Sequence, residues 1–298
     1  MTRTPRVLGG TRIVSLALNL PGPAALMRCR RMGATCVKLE PPSGDPMGHY
    51  NKPAYAQLHE GVKVLAADIR TEPGRKVLDR ELAKADVLLT SFRPSAIEKL
   101  GLGWDALHRL HPGLSHVAIV GAPGARAEEP GHDLTYLADN GLVPGMELPP
   151  TLYADMSGSL LASEAVLQAA LPRNERYAGT GESDARGIFI EVALSEAAAW
   201  LALPRTWGLT QPGGAVGGAH AGYRIYRCRD GRAAVASLEP HFAAALCAAA
   251  GASASDLRAM FDPATHEAIA AFMLSHSREE LDRIAREKDI PLYTMAAS

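Results

Sequence analysis

The chain has 298 residues, which at roughly 150 residues per domain corresponds to about two domains. Hydrophobic residues make up 47% and charged residues 21%, a balance that excludes a disordered chain. Basic residues number 31 and acidic ones 32, a net charge of -1 that argues against a protein working mainly on nucleic-acid backbone.

In chain order, residues 12–18 are apolar and β-branched at their start, and Pro21-Gly22-Pro23 breaks the run. A helical stretch at 24–32 closes on Gly33, and a strand at 36–40 ends at Pro41-Pro42. Strand, turn, helix and strand in this order predict the βαβ unit of a parallel sheet. The pattern repeats with a strand at 64–69, a helix at 73–85 and a strand at 86–92, and 117–120 reads as a further buried strand. A helix at 158–170 leads to a charged, glycine-containing loop at 173–187. A strand at 188–192 and a helix at 195–203, ending at Pro204, follow. The expected fold is therefore α/β, with a Rossmann-like parallel sheet over residues 1–204.

The glycine-dense stretch inside 205–222 reads two ways: a flexible linker, or a mobile loop that closes over an active site. Residues 223–298 form a small α+β domain. In it, runs at 223–228 and 233–238 flank Arg229-Asp230-Gly231-Arg232, a hairpin signal, and helices are expected at 241–250 and 278–287. No run of 18 apolar residues occurs, so no membrane span is expected. The apolar run at 13–20 is too short for a secretory leader, which makes the cytoplasm the default location. Cys29, Cys36, Cys228 and Cys247 include no C-x-x-C pair; they read as buried or inert thiols, and no metal site is expected.

Neither nucleotide-binding glycine fingerprint is present, nor a G-x-S-x-G elbow, nor H-E-x-x-H. Three polar positions stand out. His132 follows Pro130-Gly131, Asp155 opens an apolar helix, and Glu239 ends an apolar strand before Pro240. Each has a structural alternative: a surface-turn histidine, a helix N-cap and a solvated strand-end carboxylate. A histidine and a carboxylate on opposite faces of a substrate make a proton-transfer pair. A desolvated carboxylate alone is a nucleophile towards an activated acyl group. Spacing cannot decide between these, because convergence of 132, 155 and 239 is a tertiary matter.

At these residues the chain resembles the class III CoA-transferases, the family that also contains the α-methylacyl-CoA racemases. The resemblance runs through GTRIVSLALNLPGPAALMRCRRMGATCVKLEPPSGDP, ADVLLTSFRPSAIEKLGLGWDAL, GHDLTYLADNG, YADMSGSLLA and GGAHAGYRIYRCRDGRAAVASLEPHF, in order along nearly the whole chain. It implies a Rossmann-like large domain and a small α+β domain in an intertwined homodimer. It also implies that Asp155 is the transferase nucleophile, passing through an acyl anhydride and a CoA thioester. In the racemase branch Asp155 is one proton donor/acceptor, His132 of the Gly-His-Asp motif is the other, and Glu239 of the Glu-Pro-x-Phe motif supports the histidine.

With all three positions filled, the resemblance tilts towards racemisation of a 2-methylacyl-CoA. The alternatives are a CoA-transferase and a catalytically degenerate CoA-binding protein. Coenzyme A enters as part of the substrate, with no further cofactor, and the matching positions are Ser91, Phe92, Arg93, Lys99, Gly131, Asp133 and Tyr136. The expected partners are the acyl-CoA and a second copy of the chain, with no nucleic acid and no membrane. The chain departs from the family pattern at Pro41, at Glu60 in place of a cation, and in the shortened turn GAPGARAEEPG; each departure removes a CoA contact. Family members usually run longer, so the C-terminal segment that returns to the large domain is expected to be absent.

Overall fold

The computed structural model describes residues 6–177, 186–252 and 257–297. The chain divides into two compact units, Met1–Ala202 and Leu203–Ser298.

The first unit is built on six parallel strands: β1 (Arg12–Ser15), β2 (Thr35–Glu40), β3 (Lys63–Ala66), β4 (Val87–Thr90), β5 (Ser115–Val120) and β6 (Phe189–Ala193). Their order is β3-β2-β1-β4-β5-β6, the doubly wound arrangement in which ligands bind outside the carboxyl ends where the order reverses, here between β1 and β4. The interior strands β4 and β5 are buried along their whole length, as expected for strands covered on both faces of a parallel sheet. Connections are carried by α1 (Pro21–Arg31), α2 (Pro46–Tyr50), α3 (Lys52–Leu58), α4 (Glu72–Leu82), α5 (Pro94–Lys99), α6 (Trp104–Leu110), α7 (Asp133–Asp139) and α8 (Tyr153–Tyr177), and α9 (Leu194–Thr206) follows β6. One face of the sheet packs Ile13, Leu89 and Val117 against Leu26, Cys29 and Val166. The other packs Val14 and Leu88 against Leu78, Leu82 and Leu107.

Several boundaries differ from the sequence expectation. β1 stops at Ser15 rather than 18, because the Ala17 amide turns to Ser15 Oγ at 3.2 Å and the Leu18 amide to Ser91 Oγ at 3.2 Å. Pro21-Gly22-Pro23 does not merely end the strand. It forms the first turn of α1, where proline gives up an amide that would have no helical partner. Pro204 lies inside α9 near its C-terminus, where the lost amide bond costs little of the helix. α8 extends to Tyr177, so the expected loop at 173–187 begins as helix, and its residues 178–185 lie outside the described residues.

Gly22 lets α1 start tightly against the exit of β1. A Cβ there would lie 2.1 Å from Ala17 Cβ, and both residues sit in fully buried surroundings. Gly22→Ala is expected to cost about 1–3 kcal/mol by overpacking. It should lower the thermal midpoint; an unchanged midpoint would refute the close packing.

All four cysteines are free and buried, and burial pushes the Cys29 and Cys36 thiols up to about 12, which leaves them inert at neutral pH. Among the described residues no helix is long and apolar enough to cross a membrane.

The second unit holds a three-stranded antiparallel sheet, β7 (Tyr223–Cys228), β8 (Gly231–Ala236) and β9 (Leu292–Ala296), with α10 (Pro240–Ala250), α11 (Pro263–Ser275) and α12 (Arg278–Lys288). Its core includes Tyr226, Val235, Leu246, Met260, Ile269 and Met273. The hairpin is tighter than expected. Cys228 pairs with Gly231, so Arg229 and Asp230 alone make the loop, and Asp230 Oδ1 accepts the Arg278 amide at 2.8 Å at the start of α12. α11 and β9 have no counterpart among the expected elements.

Candidate active site

At the carboxyl edge of the six-stranded sheet, a cavity of about 320 Å³ opens beside the point where the strand order reverses. Its wall is assembled from segments that follow β1, β4 and β5 and from the first turn of α8. Ser91, Phe92, Arg93, Gly131, His132 and Tyr136 line it, and Asp155 lines it too.

Each of these side chains is placed by an identifiable local cause. Ser91 stands one residue past β4 and accepts the Leu18 amide, which joins the two strand exits. Arg93 occupies the N-cap position of α5 ahead of Pro94, and its side chain is exposed. The next turn is pinned to the loop after β5: Glu128 accepts both the Ser95 amide, at 2.6 Å, and Ser95 Oγ, at 2.8 Å. Tyr136 is buried with its ring wedged between two glycines. A Cβ on Gly121 would lie 2.3 Å from Tyr136 Oη and one on Gly131 would lie 2.6 Å from it, so neither position takes a larger residue without moving the ring.

His132 is the N-cap residue of α7. Its amide donates to Thr135 Oγ1 at 3.0 Å, while its imidazole is exposed and lines the cavity. Asp155 sits in the first turn of α8, among the amides that lack helical acceptors. The Asp155 amide is taken by the Asp133 carboxylate, reaching from the first turn of α7, at 3.0 Å. Asp133 is buried, so one acidic side chain caps the backbone of the other and holds a like charge close to it. Burial first, then the Asp133 charge, pushes the Asp155 carboxyl up to about 6, against a smaller opposite pull from His132. Burial and then the Asp155 charge raise the Tyr136 phenol as well.

Lys99, although at the end of α5, is exposed and lines a separate groove with Arg75 and Asp79. Glu239 belongs to the second unit, where it is exposed at the N-cap position of α10 and its carbonyl accepts the Ala243 amide at 2.9 Å.

Two features of this site went unread in the sequence. Leu18 and Asn19 line the cavity, and Asn19 adopts φ +63°, a left-handed conformation that asparagine tolerates better than most residues. The Asn19 amide donates to both Asp45 carboxylate oxygens at 3.1 and 3.2 Å. Asp45 in turn belongs to a buried cluster centred on Lys38, whose side chain is fully shut from solvent. Lys38 Nζ lies 2.5 Å from Asp45 Oδ2, 3.1 Å from Glu40 Oε1 and 2.8 Å from His59 Nε2. His59 Nδ1 lies 2.7 Å from the Tyr55 carbonyl, which only accepts, so Nδ1 carries the proton and Nε2 accepts from Lys38. The ammonium thus hydrogen-bonds to Asp45 and His59 and forms an ion pair with Glu40 as well. Glu40, Asp45 and His59 have donor atoms within 4.8 Å of one another, a spacing suited to a cation, and the Lys38 ammonium is the cation that they hold. The sequence sign was a lysine inside the strand expected at 36–40.

Comparison with known proteins agrees with this architecture. The protein is 31% identical over 202 residues to succinyl-CoA–D-citramalate CoA-transferase of Chloroflexus aurantiacus, covering 63% of this chain and 50% of that protein. It is also 31% identical over 268 residues to the mouse alpha-methylacyl-CoA racemase, covering 84% of this chain and 66% of the relative. It thus spans from about half to two-thirds of these relatives' length. The fold matches the crystal structure of the hypothetical protein Rv3272 from Mycobacterium tuberculosis with a TM-score of 0.79 at 23% identity, covering 96% of this chain and 84% of that one. Residues 8–297 match the family model described as CoA-transferase family III, and the chain belongs to that family.

Proposed function

We propose that this protein handles acyl-CoA thioesters and moves the α-proton of a 2-methylacyl-CoA between Asp155 and His132. The observation that carries this reading is that both groups line one cavity in which the carboxyl is pushed up to about 6. Such a group exists in both protonation states near neutral pH, so it both takes a proton and returns it. In one direction the Asp155 carboxylate removes the α-proton, and the C–H electron pair passes into the thioester enolate. A protonated His132 then delivers its proton to the opposite face, which inverts the centre and leaves a protonated Asp155 and a neutral imidazole. Arg93, at the rim, is a cation suited to the CoA phosphates, and Ser91, Phe92, Gly131 and Tyr136 shape the wall against the acyl portion. Asp133 positions the Asp155 backbone. Support of His132 by Glu239, a homodimer and a cytoplasmic setting belong to the same reading.

The test is incubation with a single epimer of a 2-methylacyl-CoA in D₂O. Wild type should invert the centre with deuterium at the α-carbon, and His132→Ala should lose inversion by about 10²-fold or more. No inversion and no exchange with any branched acyl-CoA would overturn the proposal.

A second reading, CoA transfer with Asp155 as nucleophile, draws support from the transferase named among the 31% identical relatives. It requires the ionised carboxylate, which burial disfavours here, and it predicts a covalent adduct on Asp155 visible by intact mass after mixing with acyl-CoA.

A further inference from the structure

A second concentration of chemistry lies in the first unit, at the other edge of the sheet. Arg6, Arg12, Arg30, Arg31 and Lys63 line one groove of about 770 Å³. Arg12, Thr35 and Lys63 are the first residues of β1, β2 and β3, so the groove opens at the amino edge of the parallel sheet, away from the carboxyl edge that holds His132 and Asp155. None of the lining side chains is a carboxylate. Glu81 pairs with Arg12, and among the described residues the side chains of Arg6, Arg30, Arg31 and Lys63 have no ion-pair partner.

In a protein of net charge -1, gathering these cations works against their mutual repulsion. Part of the cluster has a local use, since Arg30 and Arg31 lie in the last turn of α1 and complement its dipole. Glu81 offsets Arg12 and acts on Lys63 as well, whereas Arg6 arrives from a further segment and has neither use.

The floor of the groove is also shaped. Gly61 and Gly33 have φ of +69° and +104°. A Cβ on Gly61 would lie 2.2 Å from Arg30 Nε and Nη2, and one on Gly33 would lie 3.2 Å from Arg6 Nε. The two guanidinium groups thus rest on bare backbone.

We infer that this groove is a binding site for a small polyanion carrying two or more linked phosphates, either free or as part of a nucleotide. Guanidinium forks match phosphate oxygens in pairs, and Lys63 adds a point charge. The volume falls in the range of small-ligand pockets. The site shares no residue with the cavity around Asp155, and it stands or falls independently of the acyl-CoA reading.

The test is calorimetric titration of the full chain with sodium tripolyphosphate, and separately with ATP. Tripolyphosphate should bind, more weakly as salt is raised, and about tenfold or more weakly in Arg31→Ala and in Lys63→Ala. Both positions are exposed, and circular dichroism verifies that the variants fold. Lys288→Ala, exposed in the second unit, should bind as wild type. Equal affinity for ATP assigns recognition to the phosphates alone; tenfold tighter ATP adds a nucleoside contact, and both results support the site. The inference is overturned if millimolar tripolyphosphate gives no binding or if the groove variants bind as wild type. A 20-nucleotide oligomer that binds more tightly than tripolyphosphate would also overturn it, by assigning the groove to nucleic acid.

Discussion

Asp155→Asn should abolish inversion of a 2-methylacyl-CoA, by about 10²–10⁴-fold, and at the same time make the protein more stable at neutral pH. The two effects share one cause. Burial and the neighbouring Asp133 raise the Asp155 carboxyl from its usual 3.8 to about 6, so the folded protein holds a proton that the unfolded chain has released. Between those values the native state binds more protons than the unfolded state, and stability therefore falls as pH rises from about 4 to about 6. An amide does not ionise. The variant escapes that loss, and its thermal midpoint should exceed that of wild type at pH 7 and converge on it below pH 4. Asparagine keeps the shape and the backbone amide that Asp133 accepts, so lost activity cannot be ascribed to a disordered α8. Inversion within threefold of wild type, or a lower midpoint at pH 7, would remove Asp155 from its assigned place.

Lys38→Ala should cost about 3–5 kcal/mol, because it removes a buried cation paired with two buried carboxylates. Glu40 and Asp45 would remain beside His59, whose affinity for a proton burial lowers. Urea titration followed by circular dichroism reads the loss. Since the carboxylates can neutralise themselves by taking up protons, the deficit should shrink at pH 4. The same vacancy brings the donor atoms of Glu40, Asp45 and His59 together around an empty centre, so Zn²⁺ should raise the urea midpoint of the variant and leave wild type unmoved. A variant as stable as wild type without metal would show that the cluster contributes nothing net.

The strands of the first unit were legible because buried parallel strands carry short continuous apolar runs, as at Val87–Leu89 and Val117–Val120. Their ends were less so. Ser15 ends β1 because two side-chain hydroxyls capture the amides that follow, which no apolar pattern reveals. α11 escaped notice because its apolar and polar residues are weakly segregated, so the helical period is faint. β9 escaped because it pairs with β8, a partner distant in the chain. His132 and Asp155 could be named from the chain, but their meeting in one cavity rests on the sheet. Asp133, read as a CoA contact, also accepts the Asp155 amide through Oδ1, a link no sequence pattern announces. The Lys38 cluster was hidden because its four members come from β2, the turn before α2 and the end of α3, at no informative spacing.

The pairing of β5 with β6 aligns residues as far apart as His116 and Phe189, and the whole excursion between them carries both His132 and Asp155. Closing so long a loop adds little to the thermodynamic cost, which grows only with the logarithm of its length, but it places this contact late in folding. Among the described residues β6 is also an edge strand, paired with β5. On the proposed reading, the placement of His132 and Asp155 therefore depends on the docking of an edge strand, and activity should be lost first when that edge frays. Turnover of a 2-methylacyl-CoA in mild denaturant should then fall before circular dichroism records unfolding.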